Sequence, residues 1–238
     1  MTIALVTGAN NGIGKHIARL LAAEGMTVLA GVRSWARGEA ALAEIGGDTR
    51  LLLLDVTDPA SVATAAGRVD ELDILVNNAG ISGGGRAAGQ ADAQEFREVY
   101  ATNLFGVVEV TNALLPALRR SASPRIVNLS SGTGSLTWST GPNPQFDPVR
   151  AAGAMVAYRS SKTALNALTV FYAQALAADG IKVNALAPGL RATDLNPAAA
   201  AAGGDPAEAA AAAVRLATLP DDGPSGGFFS WDGSPVPW

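Results

Sequence analysis

The 238-residue chain contains no cysteine. Disulfides and thiolate-bound metals are therefore excluded. It contains one histidine, His16. That rules out a histidine-clustered metal site, and it rules out a Ser-His-Asp triad anywhere else in the chain. No metal site is expected. Strong charge of either sign is also lacking: the net charge is -4. Such mild acidity gives no support for a nucleic-acid partner or an anionic membrane surface. No apolar run approaches the length of a membrane span. The opening MTIALVTGANNG has no basic region followed by a long apolar one, and it runs straight into a glycine turn. It reads as the first strand of a cytoplasmic protein and not as a signal peptide.

What is present is an alternation. Short, uniformly apolar runs at 2–7, 26–31, 50–55, 72–77, 124–130, 181–187 and 226–231 read as strands buried on both faces. Between them lie amphipathic segments at 12–24, 35–45, 59–69, 92–119, 155–178 and 206–219. Asp58-Pro59 and Asp205-Pro206 each put a capping side chain before a proline at the first helical position. This order predicts an α/β fold, a doubly wound parallel sheet in a single domain over 1–238. No composition shift marks a linker. Of two alanine-rich tracts, 209–213 sits inside a helix pattern and 198–202 reads as a loop.

The first strand runs into TGANNGIG (7–14), which opens the first helix. Gly8 permits the tight turn, Gly12 lets a pyrophosphate approach the backbone, and Gly14 allows close packing of helix on strand. The helix N-terminus offers free N–H groups and a positive dipole to phosphates. Further on, YRSSK places Tyr158 and Lys162 one helical turn apart on one face.

In order along the chain come TGANNGIG, NNAG (77–80), Asn103 in ATNLFGVVEV, Ser131 in IVNLSSG, YRSSK (158–162) and PGLRAT (188–193). Together they resemble the classical short-chain dehydrogenase/reductase family over nearly the whole chain. The resemblance implies a Rossmann-type fold, a nicotinamide cofactor and hydride transfer at a carbonyl or alcohol carbon. It assigns Gly8, Asn10, Asn11, Gly12, Ile13 and Gly14 to cofactor binding. It assigns Asp55 and Val56 to the adenine. Asn78, Ala79 and Gly80 would pass under the adenosine ribose, with Asn77 bracing the neighbouring strands. Pro188 and Gly189 would shape the nicotinamide face, and Thr193 would lie near the carboxamide.

The end of the second strand bears on cofactor choice. A carboxylate there binds a ribose 2'-hydroxyl, whereas an arginine suits a 2'-phosphate. VLAGVRS supplies no carboxylate but offers Arg33 and Ser34, with Arg37 and Lys15 close in sequence. A guanidinium matches phosphate geometry, so the expectation is NADP(H). Many NADP-using relatives carry a basic residue just before Gly12; this chain has Asn11.

Carbonyl reduction needs a proton donor at the developing oxyanion. A free tyrosine titrates near pH 10, so work near neutrality needs roughly three units of depression, or about 4 kcal/mol. A cation within about 4–6 Å is one of the few ways to supply this, and Lys162 is such a cation. By resemblance, Lys162 also holds the nicotinamide ribose and relays protons. Ser131 would bind the substrate oxygen, with Ser130 as the competing assignment. Asn103 would hold a helix kink and a water leading to Lys162.

Residues 132–157 form a longer insert between Ser131 and Tyr158 than usual. It resembles that of the carbonyl reductase and menthone-reductase-like subgroup, which implies reduction of small apolar or aromatic carbonyl compounds. Trp138, Phe146 and Leu190 become substrate-pocket candidates, although packing of the insert explains the two aromatics equally well. A non-catalytic NADP(H) sensor, or reduction of C=N or C=C bonds, are the alternatives. If 149–156 continues as helix, Val149, Ala152 and Val156 would cover the face that relatives use for assembly. A monomer is then expected, with a symmetric dimer second.

Overall fold

The computed structural model describes residues 1–145, 153–193, 195 and 204–238. Seven strands, β1 (Ile3–Thr7), β2 (Thr27–Val32), β3 (Thr49–Leu53), β4 (Ile74–Asn77), β5 (Arg125–Leu129), β6 (Lys182–Ala187) and β7 (Phe228–Ser230), make one sheet. Their order is β3-β2-β1-β4-β5-β6-β7, and every pairing is parallel. The chain order reverses between β1 and β4. At such a switch point the two crossovers leave in opposite directions and open a crevice at the strand C-termini.

Strand alternation sends side chains to two cores. Ala4, Val6, Ile74, Val76, Val127 and Leu186 face one layer; Leu5, Leu75, Ile126 and Val183 face the other. The first layer is closed by helices α1 (Gly12–Ala23), α2 (Trp35–Ile45) and α8 (Pro206–Ala217). The second is closed chiefly by α3 (Pro59–Ala66) and α5 (Gly106–Leu118). The tract at 209–213 lies in α8, where Ala209, Ala210, Ala212 and Ala213 are buried. Their small side chains let α8 seat closely on the sheet and on α1. The tract 198–202 lies outside the described residues.

Both Asp-Pro starts act as helix caps. Asp58 accepts from the Ala60 amide at 3.0 Å, and Asp205 accepts from the Ala207 amide at 2.8 Å. The expected helix 92–119 is three pieces. An α-helix, α4 (Ala93–Tyr100), passes through a π-helical turn (Ala101–Phe105) into α5. By length and composition alone, the continuous Ala93–Leu118 segment is long and apolar enough to cross a membrane, contrary to the reading of the apolar runs. Here it buries Val107, Val110, Leu114 and Leu118 against the sheet layer.

The insert holds a short helix that the residue pattern did not show, α6 (Leu136–Thr140). Ser135 caps it by accepting from the Trp138 amide, and its hydroxyl also reaches the Pro237 carbonyl at 2.5 Å. The Thr137 amide and hydroxyl both donate to the Trp238 backbone oxygen. Residues 153–155 are not helical. The helix bearing Tyr158 and Lys162, α7, starts at Val156, after Met155 in the left-handed region (φ 58°), and runs to Ala175. Val149 and Ala152 lie outside the described residues, so the expected cover at 149–156 is not described beyond Val156.

Candidate active site

A cleft of about 810 Å³ runs along the C-terminal edge of the sheet. Segments leaving β1, β2, β3, β4, β5 and β6 all contribute to its lining. The glycine turn forms its floor. Gly8 and Gly12 have positive φ, 66° and 52°. Gly14 is buried, and a Cβ there would stand 2.3 Å from Asn78 Nδ2 and 2.6 Å from the Gly8 carbonyl. Asn78 explains that closeness: its side-chain amide donates to the Thr7 carbonyl at 2.9 Å and the Gly8 carbonyl at 3.2 Å. Thr7 Oγ1 in turn accepts from the Asn78 and Ala79 amides. The first turn of α1 carries no acidic residue, which leaves its dipole unopposed at the cleft.

Below the floor, polar side chains tie the strands together. Asn77 Nδ2 donates to Asn128 Oδ1 at 2.9 Å and Thr111 Oγ1 at 3.1 Å. Asn128 Nδ2 donates to Thr169 Oγ1 on α7 at 2.9 Å. These groups are almost fully buried, and each has a partner, as burial demands.

At one end, Arg33, Ser34 and Arg37 line the cleft with Asp55, Val56 and Thr57. Burial pushes the Asp55 carboxyl up. Hydrogen bonds from the Thr57 hydroxyl and amide, aided by the Arg33 charge, outweigh it and hold the group below the usual carboxylate range. Thr57 occupies Asp55 Oδ1. Lys15 is not part of this end, because its ammonium pairs with Glu44 at 2.5 Å. His16 faces Arg19, whose Nη2 lies 3.2 Å from Nδ1.

At the other end, Tyr158 and Lys162 line the cleft one turn apart on α7. Lys162 Nζ lies 5.7 Å from the Tyr158 ring centroid and donates to the Leu129 carbonyl at 2.7 Å. Burial lowers its pKa to about 8. Burial pushes the Tyr158 phenol up, and the Ser131 side chain pulls it back. Ser130 lines the cleft, but its hydroxyl donates to Asn166 Oδ1 at 2.5 Å. Ser131 lies outside that lining; of the two serines it is the one whose side chain acts on the phenol.

Asn103 sits in the π-helical turn and is fully buried. Its side chain accepts from the Ile81 amide and donates to the Ile81 carbonyl and Ser161 Oγ. A Cβ on Gly80 would be 3.4 Å from Asn103 Oδ1 and 3.7 Å from Lys162 Nζ, so Gly80 keeps the space where these groups converge.

The remaining turn residues Asn10, Asn11 and Ile13 line the cleft, as do Asn78, Ala79, Gly80, Pro188 and Thr193. Thr193 also rests against Gly12. Gly189 has φ 71° and lies against Trp231 instead of the cleft. Leu190 is 45% exposed and outside the lining. Trp138 packs on Ala185, Ala187, Phe228 and Val236, the packing role foreseen as its alternative. Phe146 lies outside the described residues. Sequence reasoning missed Ile81, Ser82, Gly83, Thr102 and Leu195, which line the cleft without any motif to mark them. It also missed how α7 is held: the Met155 and Val156 amides donate to the Gly85 and Arg86 carbonyls at 3.1 Å.

Comparison with known proteins bears on the family and the fold. The family model described as short chain dehydrogenase matches residues 2–143 and 148–202. The (-)-isopiperitenone reductase of Mentha piperita is 34% identical, with 96% of each chain covered. The structure of a carbonyl reductase with NADPH bound, from chicken fatty liver, superposes with a TM-score of 0.81. It is 29% identical and covers 100% of this chain and 98% of its own. A 3-ketoacyl-(acyl-carrier-protein) reductase of Brucella melitensis complexed with NADH gives a TM-score of 0.82 at 25% identity, covering 96% of each chain.

Proposed function

Because the chain belongs to the short-chain dehydrogenase family, we propose that it reduces the carbonyl of a small apolar or aromatic compound to an alcohol, using NADPH. The observation that carries this is the pair Tyr158 and Lys162, with Lys162 Nζ 5.7 Å from the phenol ring, lining one end of a dinucleotide-sized cleft. A dinucleotide sensor would need the glycine floor but not this group.

The residues fit a dinucleotide. Glycine keeps Cβ atoms out of the floor, and the N–H groups of the first turn of α1 would hold the pyrophosphate. Arg33 and Arg37 would take a 2'-phosphate, with no carboxylate at the end of β2 to repel it. Lys162 would hold the nicotinamide ribose. The bound cofactor supplies the hydride to the carbonyl carbon. Ser131 holds the carbonyl oxygen against Tyr158, whose phenolic proton passes to that oxygen as the C=O π bond breaks. Lys162 lowers the energy of the phenolate left behind.

The test is NADPH consumption across a panel of ketones and aldehydes. Tight NADPH binding with no turnover on any of them would favour the sensor. We read the chain as a single catalytic domain, cytoplasmic and monomeric. The second reading, a symmetric dimer, draws on the exposed rings of Phe105 and Phe171. Light scattering at micromolar concentration separates these two states.

A further inference from the structure

We propose that Thr133 is a positioning residue that fixes Ser131 as a hydrogen-bond donor toward the reacting oxygen. The inference rests on the carbonyl-reductase reading above.

Ser131 ends β5 in an extended conformation and caps a 3₁₀ turn over Gly132–Gly134. Its Oγ accepts from the Thr133 amide at 3.2 Å and lies 2.9 Å from Thr133 Oγ1. Its side chain also lowers the Tyr158 phenol's pKa. The turn cannot drift from α7, because Thr163 Oγ1 donates to the Gly134 carbonyl at 2.9 Å.

A serine hydroxyl has one proton and two acceptor lone pairs. The Thr133 amide takes one lone pair. The proton and the other lone pair are then divided between Thr133 Oγ1 and the Tyr158 side. That leaves two directions for the chain. In one, Tyr158 donates to Ser131, and Ser131 donates to Thr133. In the other, Thr133 donates to Ser131, and Ser131 donates outward to the phenol oxygen or to a substrate oxygen.

Only the second direction serves the reaction. Once Tyr158 has given up its proton, the phenolate needs a donor, and Ser131 has a single proton to offer. The Thr133 hydroxyl is the group placed to satisfy the lone pair Ser131 then exposes. A purely structural role needs only the Thr133 amide, which caps onto Ser131 and survives any substitution except proline. The hydroxyl is therefore separable from the fold.

The test compares Thr133→Val, which keeps the shape and removes the hydroxyl, with Thr133→Ser, which keeps the hydroxyl. For carbonyl reduction, Thr133→Val should lower kcat by about 3- to 10-fold with cofactor KM unchanged, and Thr133→Ser should stay within about twofold of the parent. A second readout needs no turnover. Absorbance titration of the phenolate, in protein saturated with NADP⁺, follows Tyr158 directly. Tyr158→Phe serves as the reference that removes the signals of Tyr100 and Tyr172, the other two tyrosines of the chain. Lys162, the charged group facing the ring, is the same in every variant. Thr133→Val should raise the Tyr158 titration by roughly half a unit to one unit. Thr133→Ser should leave it in place. Parent-like kcat and titration in Thr133→Val would overturn the inference. So would a Thr133→Ser variant as impaired as Thr133→Val, since side-chain shape would then be the cause. If the parent reduces no carbonyl at all, the functional reading fails, and the titration still decides the role of Thr133.

Discussion

Lys162 Nζ donates to the Leu129 carbonyl oxygen at 2.7 Å, in a site where the lysine is 4% exposed. Burial there lowers its pKa from 10.5 to about 8. The sign of the effect on stability follows. Between those values the unfolded chain holds the proton and the folded chain has lost it. Stability therefore rises as pH climbs through this window. The cost of charging Lys162 is present in full below about pH 8. Urea midpoints of the free protein and of Lys162→Met, compared at pH 7 and pH 10, should shift in favour of the parent at the higher pH. A difference that is constant with pH would mean Lys162 stays charged throughout.

Tyr158→Phe should abolish carbonyl reduction while leaving dinucleotide affinity near that of the parent. The Ser131 side chain acts on the phenol, and the ring that remains still fills its place beside Lys162. Stopped-flow turnover and a fluorescence titration with NADPH check both halves. Lys162→Ala, by contrast, should lose affinity as well as rate. Parent-like rates from the phenylalanine variant would remove Tyr158 from the chemistry.

Arg33→Ala should weaken NADPH by about 10- to 100-fold and NADH far less, since a hydrogen bond to a charged group contributes roughly 1.5–3 kcal/mol. Paired dissociation constants read this out. Equal losses for both dinucleotides would show that Arg33 serves Asp55 and not a 2'-phosphate.

Gly14→Ala tests the floor. Its new methyl would meet Asn78 Nδ2 at 2.3 Å and the Gly8 carbonyl at 2.6 Å, so the Asn78 clamp or the turn must give way. We expect a loss of about 1–3 kcal/mol in denaturant stability, together with weakened binding of both dinucleotides. Gly25→Ala is the control for a glycine outside the floor: nothing stands within 4 Å of a Cβ there, and its cost is confined to the positive φ of 82°. Normal dinucleotide binding by Gly14→Ala would show that the turn can re-form around the methyl.

The layered fold was legible because its signals are local. The runs of β1, β2, β4, β5 and β6 are largely buried on both faces, whereas β3 at the sheet edge leaves Leu53 46% exposed. The Asp-Pro caps lie within two residues of the amides they serve. The glycine floor was legible for the same reason. What escaped depends on partners far along the chain. The kink at Asn103 was expected from the family resemblance alone, because its partners Ile81 and Ser161 are 22 and 58 residues away. Helix α6 is held by Trp238, about a hundred residues on. Trp138 reads equally well as a pocket wall or as packing, and contact with Ala185 and Ala187 decides for packing. Proximity in sequence misled for Lys15, which meets Glu44 on the neighbouring helix.

The buried rung from Thr111 through Asn77 and Asn128 to Thr169 bears on how this protein can be altered. It joins β4, β5, α5 and α7 through side chains that each have a partner. The strand ends bearing Asn78, Ser130 and Ser131 are thereby coupled and cannot be re-aimed one at a time. Laboratory selection for a new substrate should accordingly find its gains in the loops around 81–83 and 190–193. Libraries aimed at the rung should return mostly unfolded clones.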